Sequence, residues 1–146
     1  MKVFLKYTIE DLPAQLSKAV DGFSHIRSRG LASDFAPTGT IFIVHGVEFS
    51  SGNVLYRLPD PPKGHQSILG LAMLFEIIDP RVSRYWECRV LPSGKIVSWP
   101  PSWFKPFYHD LLSDGDPAIV ADFARVTSLL NQESATDIGY LAHPHG

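Results

Sequence analysis

Apolar positions along this chain follow two different periods. In the middle they alternate or run in short blocks between turn residues, as in strands, and toward both ends they recur every three or four residues, as on a helix. Residues 2–8 alternate as a short strand. From Leu12, the positions Leu12, Leu16, Val20, Phe23 and Ile26 fit one helical face, with Pro13 tolerated in the first turn and Gly30 just past the end. The segment "ASDFAPTG" then breaks the pattern.

Two hairpins follow. "IFIVHGVEF" and "VLYRL" flank Ser50-Ser51-Gly52, and "YWECRVL" and "KIVSW" flank Pro92-Ser93-Gly94. A three-residue loop ending in glycine suits a type I turn followed by a left-handed residue, because glycine takes positive φ without strain. Between the hairpins, "LAMLFEII" reads as a buried strand or a short helix, with strand preferred because it stops at Asp79-Pro80. Toward the C-terminus, Asp116 is placed to cap a helix with Pro117 in its first position. Its apolar stripe is Ile119, Val120, Phe123, Val126, Leu129 and Leu130. A shorter helix is expected from about Pro106, with Phe107, Leu111 and Leu112 turned inward. Residues 132–146 read as a weakly ordered tail.

These elements predict one α+β domain over residues 1–146: an antiparallel meander sheet of about five strands, with an N-terminal helix and C-terminal helices packed on it.

If Leu91 and Lys95 close the second hairpin, Val90 pairs with Ile96, Arg89 with Val97, Cys88 with Ser98 and Glu87 with Trp99. Trp86, Cys88, Val90 and Ile96 then share a face that reads as the core and buries the cysteine. Tyr85, Glu87, Arg89, Lys95, Val97 and Trp99 form the other face, a contact surface unless a helix covers it and makes Trp99 core. In the first hairpin, closure of Phe49 on Asn53 would pair His45 with Arg57. His45 would then lie on a face with Ile43, Val47 and Leu55, the setting of a hydrogen-bonded core histidine.

The stretch "SWPPSWFKPFYHD", residues 98–110, concentrates aromatic residues and prolines. Pro100-Pro101 stops the strand that ends at Trp99, since proline offers no N–H to a neighbour. Phe104 and Phe107 are expected to anchor the departing chain, and Trp103 stands out as a loop aromatic available for contact.

Composition and charge narrow the picture. The chain has 146 residues, 45% apolar and 19% charged, which suits one folded domain and not a disordered segment. A single cysteine, Cys88, excludes an internal disulfide framework, and with no leader pattern after Met1 a cytoplasmic location is expected. The apolar run from Ile68 to Ile78 is too short to span a bilayer and contains Glu76. From residue 101 onward, only Lys105 and Arg125 stand against Asp110, Asp114, Asp116, Asp122, Glu133 and Asp137. That acidity disfavours nucleic acid and suits a basic protein partner.

Candidate chemistry is sparse. Phosphate-loop, dinucleotide, HExxH and CxxC patterns are absent, so no cofactor or metal is expected. His25, His65, His143 and His145 fall in a helix flank, a loop and the tail. His109-Asp110 could supply a base and its carboxylate, but adjacent helical residues point apart. Glu48 and Glu76 could meet only if their strands are neighbours.

The resulting expectation is a small protein-binding module, of the inhibitor or immunity type that masks a basic or enzymatic partner. Its contact residues would be Glu87, Arg89, Trp99, Trp103, Asp110 and Asp114. The alternatives are a small hydrolase-like enzyme built on His45 or His109 with dispersed carboxylates, and an assembly subunit forming homo-oligomers through a sheet edge or the tryptophan face.

Overall fold

A computed structural model describes residues 1–7, 14, 36–50, 52–59 and 67–136. Apart from residue 14, the expected N-terminal helix lies outside that set, as do the last ten residues of the expected tail. Within it the architecture is α+β, built on two antiparallel sheets instead of one five-strand meander. Strands β1 (Lys2–Leu5), β2 (Ile41–Ile43) and β6 (Phe75–Asp79) form a three-stranded sheet in the order β2-β1-β6. Strands β3 (Gly46–Ser50), β4 (Asn53–Pro59), β5 (Ser67–Leu71), β7 (Glu87–Val90) and β8 (Ile96–Trp99) form a five-stranded sheet in the order β5-β4-β3-β8-β7.

The split arises inside "LAMLFEII". Leu71 ends β5, Ala72–Leu74 makes one 3-10 turn, and Phe75 opens β6 in the other sheet. The chain can double back there because Gly70 has no side chain. A Cβ at Gly70 would stand 2.9 Å from the Phe75 ring. Phe75 meets Phe42 and Tyr56 edge-on, with ring centroids 6.0 and 5.9 Å away. Val3, Leu5, Phe42, Val47, Tyr56 and Leu58 belong to this first core.

The second hairpin adopts the expected register, from Glu87 opposite Trp99 to Val90 opposite Ile96. The first differs by one residue: Ser50 pairs with Asn53, Val47 with Tyr56 and Gly46 with Arg57. The closing pair is therefore Ser50 and Asn53, not Phe49 and Asn53, with Gly52 at φ +78°. Because side chains alternate, that single step exchanges the faces. Glu48, not Val47, lies beside Leu55.

The core face of the second hairpin is also the reverse of the one expected. Val97 and Trp99 are buried, whereas Cys88, Val90 and Ile96 are exposed. The two C-terminal helices explain the choice. Helix α1 (Tyr108–Ser113) and helix α2 (Pro117–Thr136) must bury their apolar stripes, and they do so with Val97, Trp99 and Trp103. Asp116 caps α2 as expected, its Oδ1 accepting from the N–H groups of Ala118 and Ile119 at 3.1 Å each. Ile119, Phe123, Val126 and Leu130 form the buried stripe. The helix continues past Gln132 to Thr136, with Ser134 buried. Glu133 holds the chain between β6 and β7 against α2, accepting from Ser83 Oγ at 2.6 Å and the Arg84 N–H at 3.0 Å. Among the described residues no helix is long and apolar enough to cross a membrane.

Candidate functional site

The aromatic corner is built from the inside out. Pro101–Phe104 forms a 3-10 turn that drives Trp103 into the core, where it is 1% exposed. Its indole stacks between Phe123 (5.5 Å, 17°) and Tyr108 (6.0 Å, 27°). Trp99 is nearly as buried and packs against Phe104 at 5.3 Å. A Cβ at Gly46 would lie only 2.7 Å from Trp99 Cδ1, so the indole rests on bare backbone of β3. Both tryptophans are thus the floor of the corner and present no indole face to a partner.

What the corner exposes is Phe107. Expected to point inward, it is instead 74% exposed, with φ 61° and ψ 21°. It is the single non-glycine residue with positive φ among the described residues. A bulky side chain in the left-handed region is a conformational outlier, costing roughly 1–2 kcal/mol. Tyr108 explains why the chain turns there. Its ring is buried and its hydroxyl donates to Asp122 Oδ2 on α2 at 2.8 Å, which fixes the start of α1 and throws Phe107 outward. Asp110 and Asp114 are also exposed. Phe107 immediately precedes α1, Asp110 lies within it and Asp114 caps its C-terminal end, so the exposed aromatic side chain and both carboxylates belong to one short segment.

Glu87 and Arg89 are exposed on β7, an edge strand of the five-stranded sheet, and bond each other at 3.0 Å. The Arg89 guanidinium lies over the Phe104 ring, 4.2 Å from its centre. Of the six expected contact residues, then, Asp110 and Asp114 are exposed in the same short segment as Phe107, Glu87 and Arg89 are exposed and paired on β7, and Trp99 and Trp103 are interior.

Beneath the corner lies a charge cluster that periodicity did not single out. Glu48 is fully buried at the centre of the five-stranded sheet. Its Oε2 accepts from Arg57 Nε at 2.6 Å and its Oε1 from Lys95 Nζ at 3.2 Å. Both carboxylate oxygens are therefore engaged by cations, which makes the group a cross-strand clamp. Glu76, on β6, is in the other sheet and does not form a pair with it. A sequence signal did exist: one acid inside an otherwise apolar strand, with Arg57 and Lys95 in the strand and loop to either side.

The histidines are set up as packing groups. His45 is buried and shares a hydrogen bond between Nε2 and Asn131 Oδ1 at 3.3 Å, and burial lowers its pKa to about 4. His109 is ringed edge-to-face by Trp99, Trp103 and Tyr108 at 5.2–5.4 Å. Burial, then the positive charge of Arg57, lowers its pKa to about 3. A general base works best with a pKa near the operating pH, and both rings are far below it. Cys88 is exposed, not buried as expected. Among the described residues no group of three His, Cys, Asp or Glu side chains could hold a metal.

A cleft of about 640 Å³ lies between the start of β7 and α2, lined by Arg84, Tyr85, Glu87, Pro101, Arg125 and Leu129. Its arginines are already engaged, Arg125 with Asp122 at 2.8 Å and Arg84 with the Tyr85 hydroxyl at 3.1 Å. No protein-family model, curated protein or solved structure matches the chain.

Proposed function

We propose that this chain is a protein-binding module that engages a basic partner through the exposed side of α1, with Phe107 as the anchor and Asp110 and Asp114 beside it. The observation that carries the reading is Phe107 itself, a large aromatic held outward in a strained conformation. Backbone strain persists where the surroundings over-determine it, and it concentrates at functional positions. Interfaces draw most of their energy from a few aromatic anchors ringed by polar groups. The carboxylates add steering: from residue 101 onward Lys105 and Arg125 stand against Asp110, Asp114, Asp116, Asp122, Glu133 and Asp137, and Arg125 is already paired with Asp122. Such a field speeds encounter with a basic surface and penalises an acidic one. A module of this form suits masking a basic or enzymatic partner, the inhibitor or immunity role. The pKa values of both buried histidines, far below neutrality, support binding over hydrolysis.

The test separates binding from folding. Phe107→Gly removes the anchor and relieves the left-handed backbone, so the variant should be more stable than the parent by about 1 kcal/mol in urea unfolding. It should nevertheless lose a partner captured at low salt by the tagged parent. An Asp110→Lys/Asp114→Lys variant should lose the same partner. About 0.5 M salt, which roughly halves the physiological screening length, should weaken the complex. A partner retained by both variants would sink the proposal.

A further inference from the structure

We propose that the chain also self-associates as a two-fold dimer, through antiparallel pairing of β7 with β7 of a second copy, centred on Cys88. Strand β7 is an edge of the five-stranded sheet, and all four of its residues are exposed. The hydrogen-bond phase is set by the hairpin, where the Leu91 N–H donates to Lys95 O at 2.8 Å. Alternate residues of an antiparallel strand bond the same neighbour, so Arg89 and Glu87 also face β8. Cys88 and Val90 therefore turn their N–H and C=O groups away from the sheet.

Edges are protected by proline, a bulge, charged side chains or shortness. "ECRV" has neither proline nor bulge, and its two charges, Glu87 and Arg89, already bond each other. An apolar row crosses the sheet and runs off this edge: Phe49 opposite Ile96 opposite Val90, which are 45%, 42% and 69% exposed.

The choice of a second copy as occupant rests on charge. A two-fold contact must be complementary to itself. With the axis at Cys88, Glu87 of each copy falls opposite Arg89 of the other. With the axis at Glu87 or Arg89, like charges face each other, which is unfavourable in directly opposed positions. The Cys88 register also puts Val90 of each copy opposite Trp86 of the other. Trp86 there borders a groove of about 260 Å³ shared with Met1, Val47, Phe49, Val82 and Cys88. Four residues of edge make a small interface, at the low end of the size classes, so the dimer is a weak one populated at high protein concentration.

The test is sedimentation equilibrium over a concentration series extending to high protein concentration, with circular dichroism on every variant. The parent should approach twice the 16.2 kDa chain mass. Val90→Pro removes an outward N–H that the fold does not use, and should abolish the dimer while leaving the fold intact. Arg89→Glu should weaken association about ten-fold or more, and Glu87→Arg/Arg89→Glu should restore it. A short bis-maleimide should link two copies at Cys88, and the link should disappear in Val90→Pro. A monomer throughout the series overturns the proposal, as does a dimer that survives Val90→Pro or Arg89→Glu. So does a correctly folded charge-swapped variant that stays monomeric.

Discussion

Arg57 bonds Glu48 at 2.6 Å from the neighbouring strand, and its guanidinium also lies 5.7 Å from the centre of the Trp99 ring. One side chain thereby ties the buried carboxylate to the aromatic corner. Together with Lys95 it gives the centre of the sheet an electrostatic crosslink spanning β4, β3 and the loop before β8. Removing one member of a buried ion pair leaves the other uncompensated, at a cost of about 3–5 kcal/mol. Arg57 and Lys95 are 15% and 33% exposed and can turn partly to solvent. Glu48→Ala should therefore fall at the low end, a loss of about 3 kcal/mol in urea unfolding. Lys95→Ala should cost under about 1 kcal/mol, as for a solvent-accessible pair. Equal losses in the two variants would mean that Glu48 is not the hub.

Trp99 and Gly46 make the second contact on which the corner depends. The indole is held by Phe104 on one side and His109 on the other, so it has little room to move away. A methyl group at position 46 would overlap Cδ1 and also approach the Ser98 carbonyl at 3.1 Å. Gly46→Ala should then destabilise by about 1–3 kcal/mol, the usual cost of overpacking, although alanine suits a strand better than glycine does. Near-ultraviolet circular dichroism should show the tryptophan environment disturbed. A neutral or stabilising effect would mean that Trp99 can shift freely.

How much of this was legible in the residues depended on whether the deciding physics was local. Pro92-Ser93-Gly94 specifies one loop, and the register of β7 and β8 followed from it. Ser50-Ser51-Gly52 is compatible with a loop of two residues or three, and only the shorter one sets Glu48 opposite Leu55. Alternation sorts side chains into two sets but cannot say which set is covered. Cys88, Val90 and Ile96 are the more apolar set, yet the stripe of α2 takes Val97 and Trp99. Nothing in Lys105-Pro106-Phe107-Tyr108 announces a positive φ. It follows from the long-range bond of Tyr108 to Asp122, and with it the aromatic side chain exposed at the corner.

The same burial that lowers the pKa values of His45 and His109 makes the fold sensitive to acid. Their folded pKa values, about 4 and about 3, lie below the 6.5 of a free histidine. Between those limits the unfolded chain takes up protons that the folded chain refuses, so stability rises with pH across the window and falls as pH drops below 6.5. Asp79 adds to the trend lower down. Its hydrogen bonds to Arg81 hold its pKa at about 2, and their contribution is lost as pH falls through that value from 3.8. For His45 alone the shift corresponds to roughly 3 kcal/mol by pH 4. His109→Phe keeps an aromatic ring among Trp99, Trp103 and Tyr108 but has no proton to bind. Urea unfolding at pH 7 and pH 5 should therefore show a smaller loss of stability in the variant than in the parent. An unchanged difference between the two pH values would mean that His109 titrates as freely in the folded chain as in the unfolded one, and that the ring is not sealed from water.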